Sequence, residues 1–330
     1  MQEIKREVLV NKASELLKNG TVDRVFGWKK GEFFYDLTPG TFESVQEIER
    51  EFAYGVFAGA NLSKYCIAES KKDGVTAVFL KPCDTYSFVQ LLKEYKIKRE
   101  KVYIVGVQCG GMCDMERIRA RGISGATAVE EAGEDLRIST IYGEETMKKA
   151  DALLLKCATC KSKKLVIFDE LLGEQGEDCA DCGRFEEVER LEALSPEERF
   201  SFWRGELSRC IRCNACRNVC PACTCETCVF DNHDLGTDNK APASDFEENF
   251  FHIIRAFHVT SRCTDCGECS RVCPQHIPLH LLNRKLIRDT NELYGAYQAG
   301  ADLETKPPLM DYRTDDCEPS VVYERGGAKG

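Results

Sequence analysis

The sequence predicts an α/β N-terminal domain followed by a mostly helical, cysteine-rich C-terminal domain, on three observations. Two β-rich runs, 75–80 and 102–107, bracket a stretch of helical periodicity, which is the pattern of a βαβ unit. The 20 cysteines of this 330-residue chain concentrate beyond residue 150. A charged stretch with helical character, 186–207, separates the first region from the densest cysteine runs.

Taken in order, residues 8–17 carry apolar side chains at helical spacing, and Asn19-Gly20 closes that helix. Residues 22–28 read as a strand and 31–35 as its hairpin partner, with an amphipathic helix over 45–52. The run 75–80 is a buried strand that delivers Lys81-Pro82-Cys83. A helix over 85–95 follows, on Phe88, Leu91, Leu92 and Tyr95. The second strand, 102–107, delivers Gln108-Cys109-Gly110-Gly111-Met112-Cys113. Ligands in such folds sit at the carboxyl ends of parallel strands, where both cysteine loops fall. Residues 152–155 and 165–168 flank Cys157-Ala158-Thr159-Cys160, and Cys179-Ala180-Asp181-Cys182 follows. Ser195-Pro196-Glu197-Glu198 supplies a cap within 186–207.

The next segment is the most informative. Cys210-x2-Cys213-x2-Cys216-x3-Cys220-Pro221 is repeated as Cys263-x2-Cys266-x2-Cys269-x3-Cys273-Pro274. This is the spacing of a bacterial-type two-cluster ferredoxin, in which the fourth cysteine of each run ligates the other cube. On that rule Cys210, Cys213, Cys216 and Cys273 hold one [4Fe–4S] cluster, and Cys263, Cys266, Cys269 and Cys220 the second. Each proline turns the chain away after the crossing ligand. Structural zinc sites usually show two separated Cys-x2-Cys pairs instead, and disulfides suit short secreted chains. The 42 residues between the runs hold a polar stretch, 231–245, and a helical one, 246–258. Residues 277–287 form a further amphipathic helix, and the tail from about 300 is irregular. The domains expected are 1–150 (α/β), 151–207 (metal-binding connector and helix), 208–290 (ferredoxin-like) and 291–330 (tail).

Cys157, Cys160, Cys179 and Cys182 form two Cys-x2-Cys pairs 18 residues apart, which fits zinc. A third cluster on Cys83, Cys109, Cys157 and Cys160 competes with it, since soft thiolates suit both metals. Cys223, Cys225 and Cys228 either complete a further site with Cys179 and Cys182 or pack beside the first run. Cys113 could replace Cys109 or form a redox pair with it. Cys66 and Cys317 are lone cysteines and read as non-ligands. His233, His252, His258, His276 and His280 read as surface or supporting residues, although His276 and His280 stand four apart.

Bulk composition excludes other classes. Lys plus Arg is 45 and Asp plus Glu 55, a net charge of −10, which argues against nucleic acid as partner. There is no apolar stretch long enough for a membrane span and no charge-flanked signal core in Met-Gln-Glu-Ile-Lys-Arg-Glu. A cytoplasmic, reducing setting is expected, with the cysteines as metal ligands. No Gly-x-Gly-x-x-Gly and no phosphate-binding loop marks a nicotinamide or nucleotide site.

The assembled pattern resembles the iron–sulfur subunits of soluble anaerobic redox complexes over roughly residues 60–290. Val78-Phe79-Leu80-Lys81-Pro82-Cys83-Asp84, Ile104-Val105-Gly106-Val107-Gln108-Cys109 and Cys-Pro-x-Cys-x-Cys after the first run resemble sulfhydrogenase beta and anaerobic sulfite reductase A subunits. Asn61-Leu62-Ser63-Lys64 through Cys83, with Cys157-x2-Cys160 before Asp169-Glu170-Leu171-Leu172-Gly173-Glu174, is similar to the beta subunits of deazaflavin-reducing hydrogenases and formate dehydrogenases. The resemblance implies an electron-transfer subunit that relays single electrons between a flavin or nicotinamide partner and a catalytic partner. That catalytic partner would be a hydrogenase, formate dehydrogenase or heterodisulfide-reductase-like module. The deazaflavin-type subunits bind FAD through a Ser-Gly-Gly-containing stretch, where this chain reads Val10-Asn11-Lys12-Ala13-Ser14, and through a long later domain that the cysteine runs replace here. An FAD-dependent subunit that reduces a deazaflavin is the alternative. A zinc-bound, non-redox interaction protein is a third.

Overall fold

The structure, a computed structural model, describes residues 4–180, 182–232 and 245–310. Most of the polar stretch 231–245, the tail beyond 310, His233 and Cys317 lie outside the described residues.

Helix α1 (Arg6–Lys18) buries Leu9, Val10, Ala13 and Leu16 along one face. It stops at Asn19 because Gly20 turns left-handed at φ +66°, and the Gly20 and Thr21 amides return to the Leu17 and Leu16 carbonyls. Strands β1 (Arg24–Lys30) and β2 (Leu37–Phe42) pair antiparallel, Trp28 opposite Pro39. The expected hairpin partner at 31–35 is therefore displaced: those residues form the turn, and the strand begins at Leu37. Pro39 and Gly40 hide it in the sequence, and Pro39 is tolerated because β2 is an edge strand. Helix α2 (Val45–Glu51) is capped by Ser44.

A short helix α3 (Cys66–Glu69) leads to strand β3 (Thr76–Leu80), which is buried throughout. Helix α4 (Pro82–Lys93) follows, started by Pro82 and by Asp84, whose carboxylate accepts from the Lys81 amide at 3.2 Å. Strand β4 (Val102–Val107) pairs parallel with β3. The sheet runs β2-β1-β3-β4-β8, closed by β8 (Glu170–Leu172), and the β3, β4 and β8 pairings are parallel. Trp28, Phe52, Phe79, Leu80 and Val105 fill its core.

Between β4 and β8 the chain makes helix α5 (Met115–Ala120) and an antiparallel sheet of β5 (Ala126–Ala132), β6 (Asp135–Thr140) and β7 (Gly143–Lys148), which the sequence reading did not anticipate. Leu136 and Ile138 seat it on Met115, Ile118 and Ala152. Two short helices, α6 (Lys149–Ala152) and α7 (Leu155–Ala158), bring Cys157 into place.

Beyond β8 the described elements are helices and short turns joined by cysteine-bearing loops. The expected single helix over 186–207 is two, α8 (Glu186–Glu192) and α9 (Pro196–Leu207). They are divided by the predicted cap, in which Ser195 and Glu198 bond reciprocally. Helices α10 (Ala215–Val219), α11 (Asp245–His258), α12 (Glu268–Arg271) and α13 (Leu279–Tyr294) follow. Leu207, Phe251, Ile277 and Leu279 enclose Cys210, Cys216 and Cys269 in one apolar cluster.

Candidate metal centre

The two cysteine runs adopt the same backbone. Two and four residues after the first cysteine of each, the chain turns left-handed: Arg212 (φ +51°) and Asn214 (+60°), then Asp265 (+60°) and Gly267 (+65°). Asparagine, aspartate and glycine are the residues that accept this conformation most readily. The turns wind each loop so that amides point at sulfur. Arg212 N–H donates to Cys210 Sγ at 3.3 Å, and the amides of Asp265, Glu268 and Arg217 serve Cys263, Cys266 and Cys216. Hydrogen bonds of this kind stabilise thiolate and set cluster potential. Asn283 adds a side-chain donor to Cys269 at 3.6 Å.

The loops face each other with α10 packed on α12, and the last cysteine of each run lies beside cysteines of the other. Cys273 is an electrostatic neighbour of Cys216, in the opposite run. Cys220 likewise faces Cys263, Cys266 and Cys269. Burial pushes Cys263, Cys266 and Cys269 up, Cys269 to about 11. Cys220 is drawn down, because the Cys223 thiol hydrogen-bonds to it. Arg255, 3 % exposed, offers three guanidinium nitrogens that find no oxygen acceptor among the described residues. His252 beside it is also buried, and burial pushes its ring down to about 3. Buried N–H donors facing sulfur are what a ring of thiolates around an anionic cluster accommodates, so this donor set fits the group.

A second gathering of cysteines lies at the strand ends. Cys83 opens α4 after β3, Cys109 follows β4, and Cys157 and Cys160 come from α7 and the turn after it. Cys109 senses Cys157, Cys160 senses both, and Cys83 senses Cys160. Burial raises Cys83 and Cys109 and takes Cys160 to about 12. Gly111 (φ +96°) donates its amide to Cys109 Sγ at 3.4 Å. Any Cβ there would meet Leu153 at 2.9 Å.

This site abuts the second run. Lys156, the residue before Cys157, reaches the Gly59 carbonyl at 2.7 Å and the carboxylate of Glu268, the residue before Cys269. Arg271 clasps the same carboxylate with two bonds of 2.8 Å. Burial alone would raise the Glu268 carboxyl, but Lys156 and Arg271 hold it well below the usual range. Ser87 meets Thr264 at 2.9 Å, and Arg284 ties Asp265 at 2.9 Å to Thr159 at 2.7 Å.

Cys179 and Cys182 neighbour one another, with the Cys179 amide on Lys161 O at 3.0 Å and Cys182 Sγ 3.5 Å from Thr159 O. Cys223, Cys225 and Cys228 line a cavity of about 370 Å³ with Lys64, Arg217 and Arg262. Cys66 is enclosed in α3 against Leu62 O, and Cys113 packs into the core under the second sheet. His280 bonds Ser270 at 2.8 Å through Nδ1. Among the described residues no group of three or more His, Cys, Asp or Glu side chains is drawn together closely enough to hold a metal ion. No described helix is long and apolar enough to cross a membrane.

Sequence reasoning missed Lys156, Glu268 and Arg255. Arg255 had one visible signal: a lone cation in the apolar run Ile253-Ile254-Arg255-Ala256-Phe257.

Residues 206–277 match the 4Fe-4S dicluster domain family. The chain is 25% identical to F420-dependent formate dehydrogenase subunit beta of Methanocaldococcus jannaschii, covering 90% of this chain and 92% of that one. It is likewise 25% identical to F420-dependent formate dehydrogenase 1 subunit beta of Methanococcus maripaludis, over 89% and 90%. A chain of the xenon-derivatised F420-reducing [NiFe] hydrogenase complex from Methanosarcina barkeri aligns at 12% identity and TM-score 0.38, covering 64% of this chain and 97% of that one. The chain thus carries a 4Fe–4S dicluster domain and is similar, over about nine-tenths of its length, to the beta subunits of F420-dependent formate dehydrogenases.

Proposed function

We propose that this chain is an iron–sulfur electron-transfer subunit, relaying single electrons between a flavin or nicotinamide partner and a catalytic partner in a cytoplasmic oxidoreductase complex. The observation that supports this reading is that Cys273 lies beside Cys216 and Cys220 beside Cys263, each in the opposite run, where both loops turn left-handed at the same two positions. On this reading Cys210, Cys213, Cys216 and Cys273 ligate one [4Fe–4S] cluster within a mostly helical ferredoxin-like domain, 208–290. Cys263, Cys266, Cys269 and Cys220 ligate the second. Cys83, Cys109, Cys157 and Cys160 hold a third at the carboxyl edge of the α/β domain, 1–150, with 151–207 as connector. The Lys156–Glu268 contact then makes the third site and the second cluster neighbours, so the three lie in series. Bound clusters supply one-electron storage, and the chain's own groups exclude water and bias the potentials.

The names of the two relatives favour one further reading, that of a subunit acting on F420, to which the sequence resemblance adds bound FAD. Against it, the stretch that matches the flavin-binding Ser-Gly-Gly of such subunits reads Val10-Asn11-Lys12-Ala13-Ser14 here, and the cysteine runs stand where their later domain would lie. Metal, sulfide and flavin analysis of the anaerobically purified chain tests both. About twelve irons per chain without flavin or zinc support the three-cluster relay. About eight irons with one zinc would move Cys157 and Cys160 to a structural zinc site with Cys179 and Cys182. Stoichiometric FAD would overturn the pure relay.

A further inference from the structure

Helix α11 lies in the insert between the two cysteine runs and packs on α9 and α13. Phe251 and Ala256 on it are buried, and between them Arg255 is buried as deeply. A buried arginine normally meets a carboxylate, and the described surroundings of this one hold sulfur instead. Its electrostatic neighbours are Cys269, Cys216, Cys220 and Cys223. Its three guanidinium nitrogens are buried without an oxygen acceptor among the described residues, and the side chain shares a cavity wall with Cys223 and Cys228. Cys216 belongs to the first proposed cluster, while Cys220 and Cys269 belong to the second. One cation therefore stands between both ligand sets.

We infer that Arg255 is a potential-setting residue of the relay, a fixed positive charge shared by the two clusters that holds both couples higher than their thiolates alone would. The inference rests on the two-cluster reading. Reduction adds one electron, hence one negative charge, to a cluster already anionic, and a buried cation stabilises that form. Net charge and hydrogen bonds to sulfur are the protein's levers on such couples. In a low-dielectric interior the effect is weakly screened.

The test uses the full chain, purified anaerobically, as wild type and as Arg255→Lys, Arg255→Gln and Arg255→Met. Iron and sulfide are counted in each, and the couples are titrated by electron paramagnetic resonance. With iron retained, the Gln and Met variants are expected to lower the reduced-to-oxidised ratio of both clusters about tenfold at the wild-type midpoint. That corresponds to about 59 mV for a one-electron couple. The Lys variant keeps the charge and is expected to stay within about threefold. Couples unmoved in the Met variant, or only one of them moved, would overturn the inference. Iron lost from all three variants would overturn it too, by making Arg255 an assembly residue. A wild type without cubane signals would instead remove the two-cluster reading on which it stands.

Discussion

Replacing Gly267 by alanine is expected to destabilise the protein by about 2–5 kcal/mol. Two costs add. At φ +65° the residue occupies left-handed space, where an L side chain costs about 1–2 kcal/mol. A Cβ built there would also stand 2.4 Å from Lys156 Cβ. Lys156 cannot swing aside, because its ammonium is anchored to Gly59 O at 2.7 Å and to Glu268. Relieving that overlap costs about 1–3 kcal/mol. Two companion variants separate the contributions. Gly267→Asn keeps the overlap but tolerates the left-handed backbone, so only the second cost remains. Asn214→Gly, at the equivalent position of the first loop, relaxes the backbone and leaves stability unchanged or slightly raised. The assay is anaerobic urea unfolding followed by circular dichroism. With a slope of about 3 kcal/mol/M for a chain of this size, the alanine midpoint falls by about 0.7–1.7 M. A Gly267→Ala midpoint within about 0.2 M of wild type would refute the reasoning, and with it the rigid seating of the second loop on Lys156.

Glu268→Ala strands buried Lys156 and half-buried Arg271 and is expected to cost about 3–5 kcal/mol, read as a lowered unfolding midpoint with increased proteolysis between the α/β and ferredoxin-like regions. Burial lowers the His280 ring from 6.5 to about 4, so the stability it contributes is complete above pH 6.5 and is lost as pH falls towards 4. The loss approaches about 3 kcal/mol, and His280→Gln is expected to flatten that part of the pH–stability profile. Cys83→Ser is expected to remove about four irons while the dicluster signals persist, whereas Cys66→Ala, deep in α3, leaves iron content unchanged. Equal iron in Cys83→Ser and wild type would dissolve the third site.

The dicluster domain was legible because three cysteines of each run lie within seven residues, a spacing that marks such domains, and the family match falls on that segment. The βαβ core was legible for a similar reason: 75–80 and 102–107 are apolar at nearly every position, as buried parallel strands must be. Strand β2 was not, because Pro39 and Gly40 interrupt it and an edge position forgives both. The sheet β5–β7 was missed because most of its residues face solvent, leaving Leu136 and Ile138 as its buried anchors. Lys156 and Glu268 stand 112 positions apart, and no local pattern announces that two charges so distant will bury each other.

That buried pair has a consequence for how the protein matures. Lys156 adjoins a cysteine of the strand-end site and Glu268 a cysteine of the second run, so the order of each loop depends on the other. Filling one site pre-organises the neighbouring one, and every 1.4 kcal/mol so transmitted multiplies the second affinity about tenfold. Iron loading is then cooperative, although the dicluster still fills in a chain whose strand-end site is blocked, and native mass spectrometry of partly reconstituted chains is expected to find fewer partly loaded species than independent filling would give. A graded ladder of four-iron steps would show that the two sites fill independently.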